Sequence, residues 1–419
     1  MNLLENIIKD YNITLRSRSG YCDLPRINQY FATLKISKYG DTGSGFSFNE
    51  QSAKEKAVFE SIERTCLFHD NNDKKSFFQN TRKNLEKNNI EQIFHYFSEN
   101  QIKKNPKKLQ VSLDNKFICS YVTEYGKDTK IPLPNQFIYL NSGSREKVLI
   151  NPISTGAAAG KTVKDAILRG IFEVIERDAF TINYLTNTYG QLIDVAENKK
   201  LENIKKYYNK YNLNLYLINL PTDLGIYTIM AFIIDTTKLG VPLSVGMKTG
   251  LNPVNTVIKA IEEAHMSITS SRNEMLNLDE KLKNINPLQI STIRDRELYW
   301  LNYDNLKYIN KWIKNKNIVN INKMKNLSQG NIENDLNYVI QILHSHNHKI
   351  YYINIKKKMF NKYKFAVVKV IIPTLQPFYL KERYKYLGLN RLYQIPVDLG
   401  YYKNQLQENE LNNIPHFFL

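Results

Sequence analysis

The chain has 419 residues, of which 42% are hydrophobic, 12% aromatic and 23% charged, a composition typical of a globular protein with one large domain or two. Its formal net charge of +18 would suit a polyanionic partner. However, the lysines are spread along the chain, only residues 356–364 are densely basic, and no nucleic-acid motif is recognised. The charge therefore favours attraction of ATP or an acidic peptide over nucleic-acid binding.

Three cysteines, Cys22, Cys66 and Cys119, lie far apart and form no Cys-x-x-Cys pair. This argues against a disulfide framework or a zinc site and indicates a reducing, cytoplasmic environment. Residues 1–16 are amphipathic and carry acidic side chains, so they do not resemble a signal peptide. No window reaches ~18 uninterrupted apolar residues, and we expect no membrane span.

The first part of the chain leads into an acidic helix. Residues 1–40 predict a short helix and one or two strands. The Gly-Asp-Thr-Gly-Ser-Gly sequence at 40–45 predicts a turn whose backbone N–H groups could face an anion. Residues 49–70 have helical periodicity and contain the sequence Phe-Glu-x-Ile-Glu-Arg.

A second acidic helix follows after a peripheral polar region at 70–110 and strands at 116–125 and 131–140. The small residues at 154–160 let the backbone approach a neighbour closely. They open a long predicted helix over 163–184, which contains the second copy of Phe-Glu-x-Ile-Glu-Arg.

The rest of the chain continues as a mixed α/β protein. A third helix is predicted from 253 to about 272, with Lys259 and Glu263 stacked at i, i+4. Residues 275–335 are rich in Asn and charge, and we expect them to be partly exposed. The other predicted elements are strands at 215–219, 227–235, 243–247, 349–355 and 365–372 and a helix at 335–345.

The repeated sequence, at 59–64 and 172–177, indicates the candidate site. Positions three apart share one face of a helix, so each copy presents two carboxylates side by side. These like charges repel unless the faces are solvated or the acids converge on cations. Asp165 lies within ~80° of arc of the second pair, which favours convergence. The candidate acids are Glu60, Glu63, Asp165, Glu173 and Glu176.

Clustered carboxylates suit a hard divalent ion that holds triphosphate oxygens. Iron is disfavoured, because di-iron helices carry Glu-x-x-His and each Glu-x-x here is followed by Glu. A Walker P-loop is absent, since Gly156 and Gly160 are one residue too close. Histidines at 344, 346 and 348 could bind a transition metal, but such a run more often marks an exposed helix C-terminus.

The chain resembles the YcaO family, whose members bind ATP through acidic helices in place of a P-loop. The resemblance implies a mixed α/β fold, which we read as one YcaO-like domain over 1–419 with ATP and Mg²⁺ between its halves. Its expected parts are an N-terminal segment (1–40), a nucleotide- and metal-binding core (41–272), a variable region (273–335) and a C-terminal part (336–419). The matching blocks, in family order, are the glycine-rich segment with 60–64, then 154–160, Asp165, 172–178, 260–264, 372–377, 395–396 and 415–416.

The resemblance also implies roles for individual residues. Lys259 and Glu263 are expected to contact the phosphates and the ribose or a metal, and Arg64 is expected to bind the nucleotide. The acids implied as metal and nucleotide ligands are Glu60, Glu63, Asp165, Glu173 and Glu176.

Family members phosphorylate a peptide-backbone amide oxygen. In the azoline-forming branch, a Cys, Ser or Thr side chain of a ribosomal precursor peptide attacks the preceding carbonyl, and loss of phosphate leaves a thiazoline or oxazoline. Other branches make thioamides with an external sulfide or amidines with an internal amine. The first reading for this chain is therefore an ATP-dependent cyclodehydratase of a microcin-type pathway. The alternatives are a thioamide- or amidine-forming enzyme and a non-catalytic scaffold.

The end of the chain resembles the azoline-forming branch in part. Those members end in a Pro-His-Pro-Phe-Pro type sequence near the active site, whereas this chain ends Pro-His-Phe-Phe-Leu at 415–419. By that resemblance the terminal carboxylate of Leu419 could act as a catalytic base, and the apolar end should dock. Other departures from the family are Ser44, Lys56, Asp165, Lys259 and Met266, which leave open a slow or partner-dependent enzyme.

The expected partners follow from the same resemblance. We see no room ahead of residue 40 for a leader-peptide-binding domain, so an azoline former should need a separate protein of the ubiquitin-activating-enzyme-like class. A flavin dehydrogenase could act downstream. No nucleic-acid or membrane partner is expected, and a homodimer is the default oligomer.

Overall fold

The computed structural model describes residues 3–34, 41–70, 73–87, 96–127, 129–142, 145–276, 285–287 and 290–418. The helices there are α1 (Leu3–Asp10), α2 (Glu50–Leu67), α3 (Arg82–Glu86), α4 (Glu99–Lys104), α5 (Pro106–Leu109), α6 (Val163–Leu185), α7 (Lys199–Asn209), α8 (Pro253–Leu276), α9 (Ile293–Trp300), α10 (Asn310–Ile313), α11 (Ile332–Ser345) and α12 (Arg391–Asp398). The strands are β1 (Thr14–Ser17), β2 (Asn28–Leu34), β3 (Asp41–Ser47), β4 (Phe78–Thr81), β5 (Lys116–Glu124), β6 (Lys130–Pro134), β7 (Ala157–Gly160), β8 (Gln191–Asp194), β9 (Leu213–Leu220), β10 (Tyr227–Asp235), β11 (Leu243–Gly250), β12 (Ile318–Asn320), β13 (Tyr351–Asn354) and β14 (Ala366–Ile371).

These strands form three sheets. A small antiparallel sheet has the order β1-β2-β3. A larger antiparallel sheet has the order β4-β5-β13-β14-β7, with β6 paired to β5. The third has the order β11-β10-β9-β8-β12, antiparallel except for the parallel pair β8–β12. The mixed α/β class expected from the sequence is confirmed.

Helix α6 is the central element of the fold. Thr162 caps its N-terminus by accepting a hydrogen bond from Asp165 N. Ile167, Leu168, Ile171 and Ile175 are all buried and pack with β14 and α11 in one hydrophobic cluster. The same helix also contacts β7 of the larger sheet and β11 of the third sheet. Acidic side chains on α6 are therefore placed between two sheets.

The glycine-rich segment at 40–45 was predicted as a turn, and that prediction is wrong for the described residues. Residues 41–47 form strand β3, which lies against α2. A Cβ at Gly43 would lie 2.2 Å from the carbonyl oxygen of Ala57, and one at Gly45 would lie 1.8 Å from that of Ala53. The glycines therefore permit close strand–helix packing, which holds α2 beside the site.

Gly45→Ala should lower the free energy of unfolding by about 1–3 kcal/mol, because the added methyl group would overlap the α2 backbone. Gly20→Ala is the matched control, since its Cβ would meet its nearest atom at an ordinary 3.5 Å. Urea unfolding of both variants measures the difference. Equal midpoints for the two variants would contradict this account of the segment.

Residues 275–335 were expected to be partly exposed, and their described part is a mixture of exposed residues and residues that enter the core. Trp300, at the end of α9, and Trp312, in α10, are buried beside Phe232 of the third sheet. The tryptophans are spaced without periodicity among charged residues, so the sequence alone does not show that they share one cluster. They cover the face of the third sheet opposite α8.

Candidate active site

The first acidic pair lies on α2 and faces two strands. Glu60 Oε2 accepts a hydrogen bond from Ser44 N at 2.8 Å, and Glu60 Oε1 pairs with Arg64 at 2.6 Å. One turn later, Glu63 Oε2 accepts a hydrogen bond from Ala159 N of β7 at 3.2 Å. The two carboxylates share a face of α2, as the spacing predicted.

The second pair lies on α6. Glu173 Oε2 accepts a hydrogen bond from Gly156 N at 3.2 Å. Glu176 is buried, and its Oε2 accepts one from Thr249 N of β11 at 3.0 Å. Its Oε1 is buried without a hydrogen-bond partner among the described residues. This oxygen therefore has an unused capacity for a cation.

Helix α8 adds a further carboxylate. Glu263 Oε2 lies 2.7 Å from Lys248 Nζ and 3.3 Å from Met247 N, both on β11. Glu263 and Glu176 raise the pKa of Lys248, outweighing the lowering effect of its burial. The acidic cluster, defined as Glu63, Glu173, Glu176 and Glu263, thus draws on three helices.

The pKa shifts show that these carboxyl groups repel one another electrostatically. Burial, followed by repulsion from Glu173 and Glu60, raises the pKa of Glu63 well above its usual value. Burial also raises the pKa of Glu173. For Glu176, burial raises the pKa to about 7, with Lys248 lowering it and Glu263 raising it. Carboxyl groups that resist ionisation in the free protein gain most from a bound cation.

Basic side chains lie near the acidic cluster. The surroundings of Lys259 lower its pKa, first by desolvation and then by repulsion from Arg169, Lys56 and Lys248. Lys56 also pairs with Glu262 at 2.6 Å. Four cations close enough to repel one another suit an anion with several charges, such as a triphosphate.

Asp165 lies apart from the acidic cluster. It precedes Glu173 by eight residues, which is about 12 Å along the helix axis. Its carboxylate accepts hydrogen bonds from Arg169 Nε at 2.8 Å and Lys161 N at 2.9 Å. The structure therefore places Asp165 on the predicted face but in a separate group beside Arg169. An extended ligand could span both groups.

A narrow cleft of about 60 Å³ adjoins the acidic cluster. Its polar wall carries Arg177 and Lys369, and much of the rest is apolar. Arg177 Nη2 lies 3.7 Å from Glu176 Oε1. Burial lowers the pKa of Lys369 to about 8, while Glu173 and Glu63 oppose that shift. Both cations therefore belong to the cleft and to the edge of the acidic cluster.

Sequence reasoning did not assign Arg177 or Lys369 to the site. Arg177 follows the second acidic pair in the repeated motif, which was a usable signal. Lys369 stands in β14, whose six residues are all buried, so a lone lysine in a β-branched strand was a second signal.

The chain end docks against the same region. Phe418 and Phe417 are each 3% exposed, which confirms that the apolar end is packed. The Phe418 ring centroid lies 4.2 Å from the guanidinium carbon of Arg177. His416 is buried and its Nε2 lies 2.9 Å from the carbonyl oxygen of Tyr379. Leu419, the expected base, lies outside the described residues.

The family model for "YcaO cyclodehydratase", described as ATP- and Mg²⁺-binding, matches residues 44–376. The chain belongs to the YcaO family. ATP and Mg²⁺, the cofactors expected from the sequence, are those of the family. The matched range includes both acidic helices, the third helix and the cleft-lining strand β14.

Solved YcaO structures share the fold at low sequence identity. A heterocyclase in complex with substrate and cofactor has a TM-score of 0.78 and 18% identity, over 99% of this chain and 57% of that chain. The heterocyclase TruD has a TM-score of 0.66 and 20% identity, over 87% and 50%. YcaO from Methanopyrus kandleri, bound with AMPPCP and Mg²⁺, has a TM-score of 0.64 and 13% identity, over 88% of each chain.

Two further proteins also match. The E. coli microcin synthetase McbBCD complex with pro-MccB17 bound matches with a TM-score of 0.59 and 15% identity, over 86% of this chain and 87% of that chain. An uncharacterised protein of Methanothermobacter thermautotrophicus is 24% identical over 262 residues, 60% of this chain and 63% of that protein. The chain thus spans between half and two thirds of that relative, TruD and the substrate-bound heterocyclase.

The donors of this YcaO chain fit Mg-ATP. Within the described ranges, no three His, Cys, Asp or Glu side chains are arranged to hold a metal by themselves. Mg²⁺ usually takes one or two carboxylates and completes its shell with phosphate oxygens and water. Oε1 of Glu176 accepts no hydrogen bond from the described residues, and the pKa values of Glu63 and Glu176 stay raised, so the nearby cations do not fully neutralise these carboxylates. A metal that arrives with a triphosphate would supply it.

The described helices include none that is long and apolar enough to cross a membrane.

Glu176→Gln should stabilise the ligand-free protein above pH 7. The pKa of Glu176 is raised from 4.5 to about 7, so folding retains a proton that the unfolded chain loses. The contribution of the Glu176 carboxyl group to the free energy of unfolding is therefore lost as the pH rises from about 4.5 to 7. We expect the variant's melting temperature to exceed that of the wild type by about 2–4 °C at pH 8, and to match it near pH 4.5. A lower melting temperature at pH 8 would contradict the assignment of burial as the dominant cause.

Proposed function

We propose that this YcaO-family chain uses Mg-ATP to phosphorylate backbone amide oxygens of a ribosomal precursor peptide, so that Cys, Ser or Thr side chains close thiazoline or oxazoline rings. One observation carries the proposal. The acidic cluster, with basic side chains beside it, adjoins a cleft with largely apolar walls, and Arg177 and Lys369 lie at the junction.

The proposed binding roles follow from position and charge. Lys259, beside Arg169 and Lys56, holds phosphates, and Arg64 and Glu263 contact the nucleotide. Asp165, separated along α6, serves the far end of the same extended ligand. The proposed Mg²⁺ ligands are Glu60, Glu63, Asp165, Glu173 and Glu176.

The chemistry needs a better leaving group than oxide. When bound, Mg-ATP supplies a phosphoryl group that makes the former carbonyl oxygen leave as phosphate. The nucleophilic side chain forms a bond to the carbonyl carbon and gives up its proton, and the carbonyl electron pair moves to oxygen. Loss of phosphate and of the amide proton leaves the ring, so the peptide loses one water while ATP becomes ADP and phosphate. The apolar cleft walls restrict water, which strengthens the charge interactions.

We further propose that a separate leader-binding protein of the ubiquitin-activating-enzyme-like class presents the peptide. The similar E. coli microcin synthetase is a McbBCD complex, with pro-MccB17 bound. A flavin dehydrogenase could oxidise the rings afterwards. The protein would then act as one component of an assembly.

The test is phosphate release from Mg-ATP, with and without the partner and precursor encoded beside this chain, together with the mass of the peptide. The proposal predicts the loss of one water per released phosphate. Replacement of oxygen by sulfur would establish a thioamide synthetase, and loss of water with ring closure by an amine would establish an amidine former. No ATP use with any partner would contradict the proposal and favour a non-catalytic scaffold.

A further inference from the structure

Lys369 is a buried cation with an unusual position. It lies in the middle of β14, opposite Ala157 of β7, and is 2% exposed. Its Nζ donates a hydrogen bond to the carbonyl oxygen of Ile153 at 2.7 Å. In the part of the chain that the structure describes, no carboxylate lies within ion-pair distance of it. An ammonium group has three N–H donors, so two remain for a ligand.

Burying an ammonium group without a direct ion pair is costly, so the fold must compensate for it. The fields of Glu173 and Glu63 do so in part. Compensation alone does not explain why the side chain lines the cleft. Ile153, its hydrogen-bond acceptor, lies in the same wall.

The side chains that line the cleft favour a neutral ligand that carries one polar atom next to Lys369. Phe137, Ile150, Val174 and Leu375 supply apolar walls. Arg177 is the other cation, but its guanidinium faces the rings of Phe378 and Phe418 at 5.0 and 4.2 Å. Arg177 also lies 3.7 Å from Glu176, whereas the hydrogen bond that Lys369 Nζ donates within the described residues goes to Ile153. A peptide carbonyl oxygen directed at a cation, with apolar groups beside it, suits the chemistry of this lining.

We infer that Lys369 is a catalytic residue whose ammonium group donates a hydrogen bond to the peptide carbonyl oxygen that becomes phosphorylated. This inference rests on the proposed function. As the nucleophile attacks, negative charge develops on that oxygen, and a fixed cation in a low-dielectric cleft stabilises it. Lys369 keeps its proton throughout, so no further reactant is needed. The same contact places the oxygen at the edge of the acidic cluster, where the metal-bound triphosphate is proposed to lie.

The test compares Lys369→Met and Lys369→Arg with the wild type, using the precursor peptide and the partner protein. We expect Lys369→Met to lower kcat for peptide modification by about 100-fold, as loss of one oxyanion donor does. Affinity for a non-hydrolysable ATP analogue with Mg²⁺ should change by less than about threefold, which is under 1 kcal/mol. Lys369→Arg should recover most of kcat because it restores a donor with charge.

Lys356→Met is the matched control. Lys356 Nζ also donates to a backbone carbonyl, that of Tyr363, at 2.7 Å, but it lies outside the cleft. We expect its kcat to equal that of the wild type. If Lys369→Met melts below the assay temperature, Lys369→Gln is measured instead, because Gln keeps a donor amide without the charge. Because a donor remains and only the charge is lost, we expect a smaller fall in kcat for Lys369→Gln, of about tenfold.

The outcomes separate this inference from the proposed function. A wild type that modifies the peptide, with normal kcat in Lys369→Met, overturns only the role of Lys369. Parallel loss of nucleotide affinity and kcat would also overturn it, because Lys369 would then only balance the acidic cluster. A wild type with no ATP-dependent change in peptide mass overturns the proposed function and this inference together.

Discussion

Glu173→Gln and Glu176→Gln should each lower ATP turnover by about 100-fold or more, while the protein stays folded. Each removes one charge from carboxylates proposed to hold Mg²⁺ between α6, α2 and α8. Neither should destabilise the free protein, because both side chains have a pKa raised by burial. Gln keeps an oxygen that can accept the hydrogen bonds from Gly156 N and Thr249 N.

The measurement is steady-state phosphate release at saturating peptide, with circular dichroism to check the fold. Glu202→Gln is the control, since Glu202 lies on α7 and pairs only loosely with Lys206, at 3.5 Å. It should keep wild-type turnover. Unchanged turnover in both site variants would show that the acidic cluster is not the metal site.

Phe418→Ala should lower specific activity by about tenfold, whereas Phe417→Ala should mainly lower stability. The Phe418 ring covers Arg177 at the cleft, so its loss frees a side chain that borders Glu176 and the proposed peptide site. Phe417 instead packs among Phe232, Trp300 and Trp312, away from the cleft. Truncating such a buried ring typically costs about 3–5 kcal/mol.

Both variants are compared by thermal melting and by peptide modification per folded molecule, well below the lower melting temperature. Phe418 is also buried, so some loss of stability is expected there too. The contrast in specific activity is the informative quantity. Wild-type specific activity in both variants would mean that the end of the chain only packs. Equal loss in both would mean that any disturbance of the end reaches the cleft.

The elements of this fold were largely predictable because their signals are local. The strand predicted at 227–235 is observed with the same limits, and the helix at 163–184 differs by one residue. The repeated Phe-Glu-x-Ile-Glu-Arg sequence located Glu63 and Glu173, whose carboxyl groups repel across two helices. Helical periodicity fixes which face of a helix a residue occupies, and both glutamates lie on the predicted face.

What could not be predicted depends on contacts between distant residues. The 40–45 segment has turn composition, yet its glycines serve to let β3 approach α2. The hydrogen bond from Arg169 to Asp165, which gives Asp165 a partner outside the acidic cluster, is not shown by the shared helix face. Lys369 reaches the cleft because β14 pairs with β7. The domain boundaries and the role of each site residue stay predictions.

The most direct test of the central claim follows the carbonyl oxygen itself. A precursor peptide labelled with a heavy oxygen isotope at the backbone carbonyl before a modifiable Cys is incubated with this protein, its partner and Mg-ATP. The account predicts that the label appears in the released inorganic phosphate, one atom per ring formed, because that oxygen leaves as phosphate. Label that stays in the peptide or appears only in water, with ATP consumed, would contradict phosphoryl transfer to the carbonyl oxygen.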